Sequence, residues 1–152
     1  MKNQNQGFTL VELMIGTAML AVVVLGLINL FINTSAQAEI AGNKTLAVGA
    51  AQNKIEEMRN HTYSLITTDY ASGGIPGNKF SLSTITGEGV IYIDSSNASL
   101  LTVEIDVSWK NDNTRIIGED TDLDGVLDAG EDLNSNGKLD SPVKIITYIA
   151  QR

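Results

Sequence analysis

Asp120, Asp122, Asp124, Asp128 and Glu131 fall at positions one, three, five, nine and twelve of one twelve-residue stretch. In a tight loop, alternate side chains converge on a point, and carboxylates gathered there are the ligands a hard cation takes. Gly125 at position six permits the sharp reversal, and Val126 at seven offers a main-chain carbonyl. Asp128 would bind directly or through a water, and Glu131 with both oxygens. An all-oxygen set of this size favours Ca2+ over Mg2+, which demands a tighter octahedron. A poorer copy follows at once: Asp132, Asn134, Asn136, Gly137, the Lys138 carbonyl and Asp140, with Val143 where the bidentate acid belongs. Three fates are open to it: weak binding, an acid borrowed from the first loop, or no ion. One or two Ca2+ are therefore expected. Loops so closely abutted leave no room for helices between them, so a calcium clip on a hairpin is the better reading than a helix-loop-helix sensor. The plainer reading is a solvated loop rich in Asp, Asn and Gly; the full twelve-position match weighs against it.

The charge of the chain is concentrated in this insert. Residues 118–142 hold eight acids against Lys138 alone, and so carry seven of the eight net negative charges of the 152-residue chain. Without a cation these acids repel one another. No basic stripe exists to engage nucleic acid. There are no cysteines, so no disulfide restrains the C-terminal region.

A second chemically informative acid is Glu12, placed inside a run from Phe8 to Ile32 that otherwise reads as membrane-spanning. A carboxylate there costs roughly 2.5–3.5 kcal/mol on insertion scales, so it needs a partner or a purpose. The leader before the run, Met1 to Gln6, carries one positive charge at Lys2. A secretory signal places its small-residue cleavage site after the apolar run; here the candidate, Gly7, lies before it. Cutting at Gly7 would leave the apolar helix on the mature chain. A plain anchor or an uncleaved signal is the competing reading.

The Gly7-Phe8-x-x-x-Glu12 arrangement at the head of an apolar helix resembles the prepilins of the type IV filament superfamily. The resemblance implies cleavage after Gly7 by an inner-membrane prepilin peptidase, methylation of Phe8, and a role for Glu12 in assembly. A buried carboxylate is tolerable beside a buried ammonium, and the amine of Phe8 on a neighbouring subunit would supply one. Implied partners are homologous subunits in a helical filament, the peptidase, an inner-membrane assembly platform, and the membrane before assembly. The precursor would sit in the inner membrane, then enter an extracellular pilus or a periplasmic pseudopilus. Many pilins close their C-terminal region with a disulfide. Some secretion pseudopilins use a calcium site instead, and this cysteine-free chain looks similar to those.

These features need elements to position them. Ile40, Ala47, Val48, Ala51, Ile55 and Met58 recur at helical spacing, with Glu39, Lys44, Lys54 and Glu57 free to face outward. One helix is expected from Thr9 to Arg59, about 75 Å long, with Gly16, Gly26, Gly42 and Gly49 as weak points. Ser72, Gly73, Gly74, Pro76 and Gly77 mark residues 60–80 as a loop. Val90–Ile93 reads as a short strand. Leu101, Val103, Ile105, Val107 and Trp109 alternate with Thr102, Glu104, Asp106 and Ser108 as a half-buried antiparallel strand, and Val143–Ile149 reads as its hairpin partner. The fold class is α+β, a long N-terminal helix packed on a small antiparallel sheet, with the calcium loop inserted in the last hairpin. The expected division is a leader at 1–7, an apolar membrane and assembly helix at 8–32, and a head at 33–152 containing the insert 118–142. The stretch Ala51–Arg59, with Trp109 and Thr147–Ala150, resembles minor pilins.

No constellation for catalysis is present, neither a nucleophile–base set nor a phosphate-binding glycine motif. His61, the sole histidine, lies in a polar helix-end context. A structural filament subunit, pilus or type II secretion pseudopilin, is expected instead of an enzyme. An alternative of another class is a membrane-anchored, calcium-dependent module resembling a dockerin, which would need two separated calcium repeats with helices.

Overall fold

A computed structural model describes residues 7–111 and 115–151; the first six residues of the expected leader lie outside the described residues. The chain divides into two compact units, Met1–Glu39 and Ile40–Arg152.

In the first unit, helix α1 (Leu10–Arg59) begins one residue later than periodicity suggests, because Thr9 is its cap. The Thr9 N–H and hydroxyl donate to Glu12 Oε2 (3.0 and 2.9 Å), and the Glu12 N–H donates back to the Thr9 hydroxyl (3.2 Å). This reciprocal pair is a capping box, satisfying donors that a helix start leaves open. The apolar side chains that follow, through Ile32, are exposed. Polar residues among them close on their own backbone: Thr17 donates to the Met14 carbonyl (3.0 Å), Asn29 to Leu25 (3.0 Å) and Thr34 to Leu30 (2.8 Å). Helix α1 is unbroken through Gly16, Gly26 and Asn29.

In the second unit, residues 40–59 of α1 bury Ala47, Ala51, Ile55 and Met58. That stripe meets the apolar face of a five-stranded antiparallel sheet. Its strands are β1 (Lys79–Ser81), β2 (Gly87–Asn97), β3 (Leu100–Asn111), β4 (Arg115–Ile117) and β5 (Lys144–Ala150). The central strand β3 pairs with β2 along one edge; β4 and β5 share the other, β4 against Trp109–Asn111 and β5 against Leu100–Asp106. Leu101, Val103, Ile105, Val107 and Trp109 all face the helix core, as their alternation requires.

Several local expectations differ. Residues 60–80 contain helix α2 (Tyr63–Asp69) and the start of β1, because Ile66 and Tyr70 provide the apolar anchor that turns a run of polar residues into a packed element. Strand β2 extends well beyond Val90–Ile93 and forms the tight hairpin with β3, Asn97 pairing with Leu100. Strand β5 pairs with β3 as expected, but β4 and the insert intervene along the chain. The second face of β3 is the larger surprise: Asp106 and Ser108 are buried. The insert lies across them, with Leu139 buried and the Ser141 hydroxyl donating to the Val107 carbonyl.

Tyr70 ties the two helices together, its buried hydroxyl donating to Glu57 Oε1 (2.9 Å). Burial, then the Glu57 charge, push that hydroxyl up to about 12. An unfolded tyrosine ionises near pH 10, so the stability this neutral hydroxyl contributes is complete below that pH and is lost as pH rises towards 12. Tyr70→Phe is expected to cost about 1 kcal/mol at neutral pH. Urea denaturation at a series of pH values should show the gap to wild type closing between pH 10 and 12; a gap independent of pH would contradict the assignment.

Candidate metal centre and N-terminal motif

The insert contains no helix or strand among its described residues 118–142, and its shape is set by side chains bonding to nearby main chain. In the first loop, Asp120 is 1% exposed and accepts the Asp124 N–H (3.2 Å) and Gly125 N–H (3.0 Å). Asp122 accepts the Asp124 N–H (3.3 Å), and Asp124 accepts that of Val126 (2.7 Å). The carboxylates of Asp120, Asp122 and Asp124 each bring an oxygen within 4.8 Å of the other two. Left-handed backbone at Leu123 (φ 60°) and Gly125 (φ 68°) makes the reversal. Glu131 closes the loop: Oε1 accepts from the Thr121 N–H and hydroxyl (2.7 Å each), and Oε2 from the Asp128 N–H (3.1 Å). Oε2 keeps one lone pair for an ion.

The second loop repeats this geometry twelve residues on. Asp132 accepts from Asn136 (2.9 Å) and Gly137 (2.8 Å), Asn134 from Asn136 (3.1 Å), and Asn136 from Lys138 (2.8 Å), all from main-chain N–H groups. Ser135 (φ 59°) and Gly137 (φ 76°) repeat the left-handed pair. At its ninth position the Asp140 N–H donates to Glu119 Oε2 (2.9 Å), the place Glu131 Oε2 holds at Asp128. Glu119 escaped the sequence reading because it lies 21 residues before Asp140, and loop spacing carries no signal over that distance.

Electrostatics separate these acids. Burial raises Asp120 above the usual carboxylate range, outweighing its N–H donors. Burial acts the same way at Glu131, but donors from Thr121 and Asp128 prevail and hold it below that range. Asp140 is lowered by Lys144 and by the amides of Asn134 and Asn136, which both donate to its Oδ2 (2.6 Å). The insert is fastened to the sheet by Lys138 and Lys144, which both pair with Glu104, by the Leu139 N–H donating to the Tyr92 hydroxyl (2.8 Å), and by Lys79 donating to the Asp124 carbonyl (2.8 Å). Asp106, on β3 beneath Asp140, is pushed up to about 7 by burial, with Lys144 pulling the other way. Sequence patterning placed Glu104 and Asp106 on an outward face and so passed them over. His61 is half-buried and pairs with Asp69 (2.7 Å).

At the other end, Gly7 and Phe8 precede α1 outside the helix, Phe8 is 90% exposed, and Glu12 lies within the first turn. Residues 2–28 match the family described as the prokaryotic N-terminal methylation motif. The chain carries a prepilin-type N-terminus. The match spans under a fifth of the chain and covers the start of α1, the one described helix long and apolar enough to cross a membrane. No curated protein and no solved structure compared with the chain matches it.

The two loop glycines should differ in tolerance. Each adopts left-handed backbone, which costs an L-residue about 1–2 kcal/mol. At Gly137 an added Cβ meets nothing within 4 Å, whereas at Gly125 it comes within 2.6 Å of Lys79 Cδ. Gly125→Ala must also displace the lysine that holds the Asp124 carbonyl. Thermal denaturation should show Gly125→Ala lowering Tm more than Gly137→Ala; the reverse order would mean the Lys79 contact is unimportant.

Proposed function

We propose that this chain is the structural subunit of a type IV pilus or related surface filament. It is cut after Gly7 by prepilin peptidase, methylated at Phe8, and polymerised with homologous subunits through its apolar helix. The observation that carries this reading is the exposed, unbroken apolar run of α1 that opens on a capped Glu12 and bears the methylation motif. The capping box explains how an acid can enter the membrane at all: Thr9 supplies two donors from the same chain. A hydrogen-bonded carboxylate still lacks a counter-charge. The amine of Phe8 on a neighbouring subunit would provide it, selecting the register of each incoming subunit at the assembly platform. Glu12→Ala should leave cleavage intact, as read by the intact mass of the chain, while its recovery in sheared filaments falls severalfold. Wild-type recovery of this variant would remove the assembly role.

The head is stabilised by Ca2+ in the first loop, held by Asp120, Asp122, Asp124, the Val126 carbonyl, Asp128 and Glu131. The donor set supports this assignment: it is all oxygen, three carboxylates already converge, and Asp120 is buried on main-chain N–H groups. Ca2+ would neutralise acids that otherwise repel, and so restrain a C-terminal region that has no disulfide. The second loop, with Asp132, Asn134, Asn136, the Lys138 carbonyl and Asp140, is the weaker partner. At a hundredfold excess over Kd, an ion bound only to the folded form adds about 2.7 kcal/mol. Calcium should raise Tm of the full chain in detergent by several degrees at matched ionic strength, and Asp120→Asn should remove the first loop's share of the rise. A transition indifferent to calcium would exclude the ion.

A type II secretion pseudopilin is the second reading, favoured by the cysteine-free head with its acidic insert. Processed chain confined to the envelope, and absent from sheared filaments, would decide for it. The dockerin-like alternative requires helices around two calcium repeats, and residues 118–142 contain none.

A further inference from the structure

We propose that Glu104, Asp106 and Asp140 form a second divalent-cation site between β3 and the insert, at which the Lys144 ammonium stands in for the ion. The three carboxylates bring one oxygen each within 4.8 Å of the others. Asp106 is 2% exposed, and neither of its oxygens has a hydrogen-bond partner among the described residues. A buried carboxylate without donors is costly, and cation coordination is one of the few ways to satisfy it.

Lys144 marks where positive charge is wanted. Its Nζ lies 2.7 Å from Glu104 Oε1 and 3.7 Å from Asp106 Oδ1, and is hydrogen-bonded to Asp140 Oδ1. One ammonium therefore reaches all three acids, yet stays beyond hydrogen-bond range of the most buried one. Its side chain is a third exposed and can withdraw to water. With Lys144 withdrawn and all three acids ionised, Lys138 remains on Glu104 and two negative charges are uncompensated. That is the charge of one divalent ion, and carboxylate oxygens suit a hard one. The site is separate from the first loop and shares only Asp140 with the second. Asp140 is suited to the double role, because Asn134 and Asn136 both bond its Oδ2 and leave Oδ1 to the sheet. An ion here would bridge the middle strand to the insert, as the lysine does in its absence.

Calorimetric titration of Ca2+ into the full chain in detergent micelles tests this, comparing wild type, Asp106→Asn, Asp120→Asn and the double variant Asp120→Asn/Lys144→Met. Asp106→Asn should lose one bound ion while keeping its near-UV circular dichroism, since Asn preserves shape and Asp106 has no donor to lose. Asp120→Asn should lose a different ion. Removing the competing ammonium should tighten the remaining site about tenfold, or about 1.4 kcal/mol. The proposal is overturned if Asp106→Asn binds as many ions as wild type, or if Lys144→Met leaves affinity unchanged or weaker. The two assignments fail separately: an ion lost in Asp120→Asn but not in Asp106→Asn leaves the first-loop reading standing, and the converse leaves this one. Should Asp106→Asn fail to fold, the Lys144→Met comparison decides alone.

Discussion

Lys138 and Lys144 both end on the carboxylate of Glu104, and through that one acid an insert with seven excess negative charges is held against the middle strand of the sheet. Like charges at this density favour an expanded loop. Docking succeeds because Lys138 of the insert meets an acid that β3 presents to it, because Lys144 at the start of β5 pairs with that acid and with Asp140 of the insert, and because Leu139 buries apolar surface beside them. Glu104 stays ionised in this setting: burial pushes its carboxyl up, but the two lysines outweigh burial and hold it below the ordinary range. The same docking buries Asp106 and Ser108, which a free strand would leave in water.

The second unit thus has two cores of different character on one sheet. On the helix side, Val103, Ile105 and Val107 pack against the Ala47–Met58 stripe, and burial of apolar surface is the driving term. On the insert side, contacts are ion pairs, hydrogen bonds and the buried side chain of Leu139. Such a face is stable only if its charges are matched, which makes it responsive to cations in a way the helix side is not. A chain without cysteines has placed the restraint of its C-terminal region on this charge balance.

The first unit follows a different rule. Its apolar residues are exposed over more than six turns of helix, and Glu12, the single acid of the run from Phe8 to Ile32, is met by Thr9 of its own chain. The Thr9-x-x-Glu12 spacing is that of a capping box, so the local role of the acid is written in the sequence beside its place in the apolar run. Capping and assembly are compatible roles, since a cap supplies hydrogen bonds and leaves the charge in place.

Elements whose signal is local were legible from residues alone: α1 from its periodicity, β3 from its alternation, and the first loop from the spacing of Asp120, Asp122, Asp124 and Gly125, whose Asx-type bonds span five residues or fewer. The same holds for the Asp132–Lys138 turn of the second loop, whose Asx-type bonds are equally short-range. What packing decides was not legible. Helix α2 and strands β1 and β4 are short and become regular only against neighbours. Glu119 reaches Asp140 across 21 residues, and Lys138 reaches Glu104 across 34. Asp106 is polar by sequence and core by position, because burial is set by what folds over a face. Spacing along the chain determines which ligands can converge within a loop; only the fold determines which strand that loop comes to rest on.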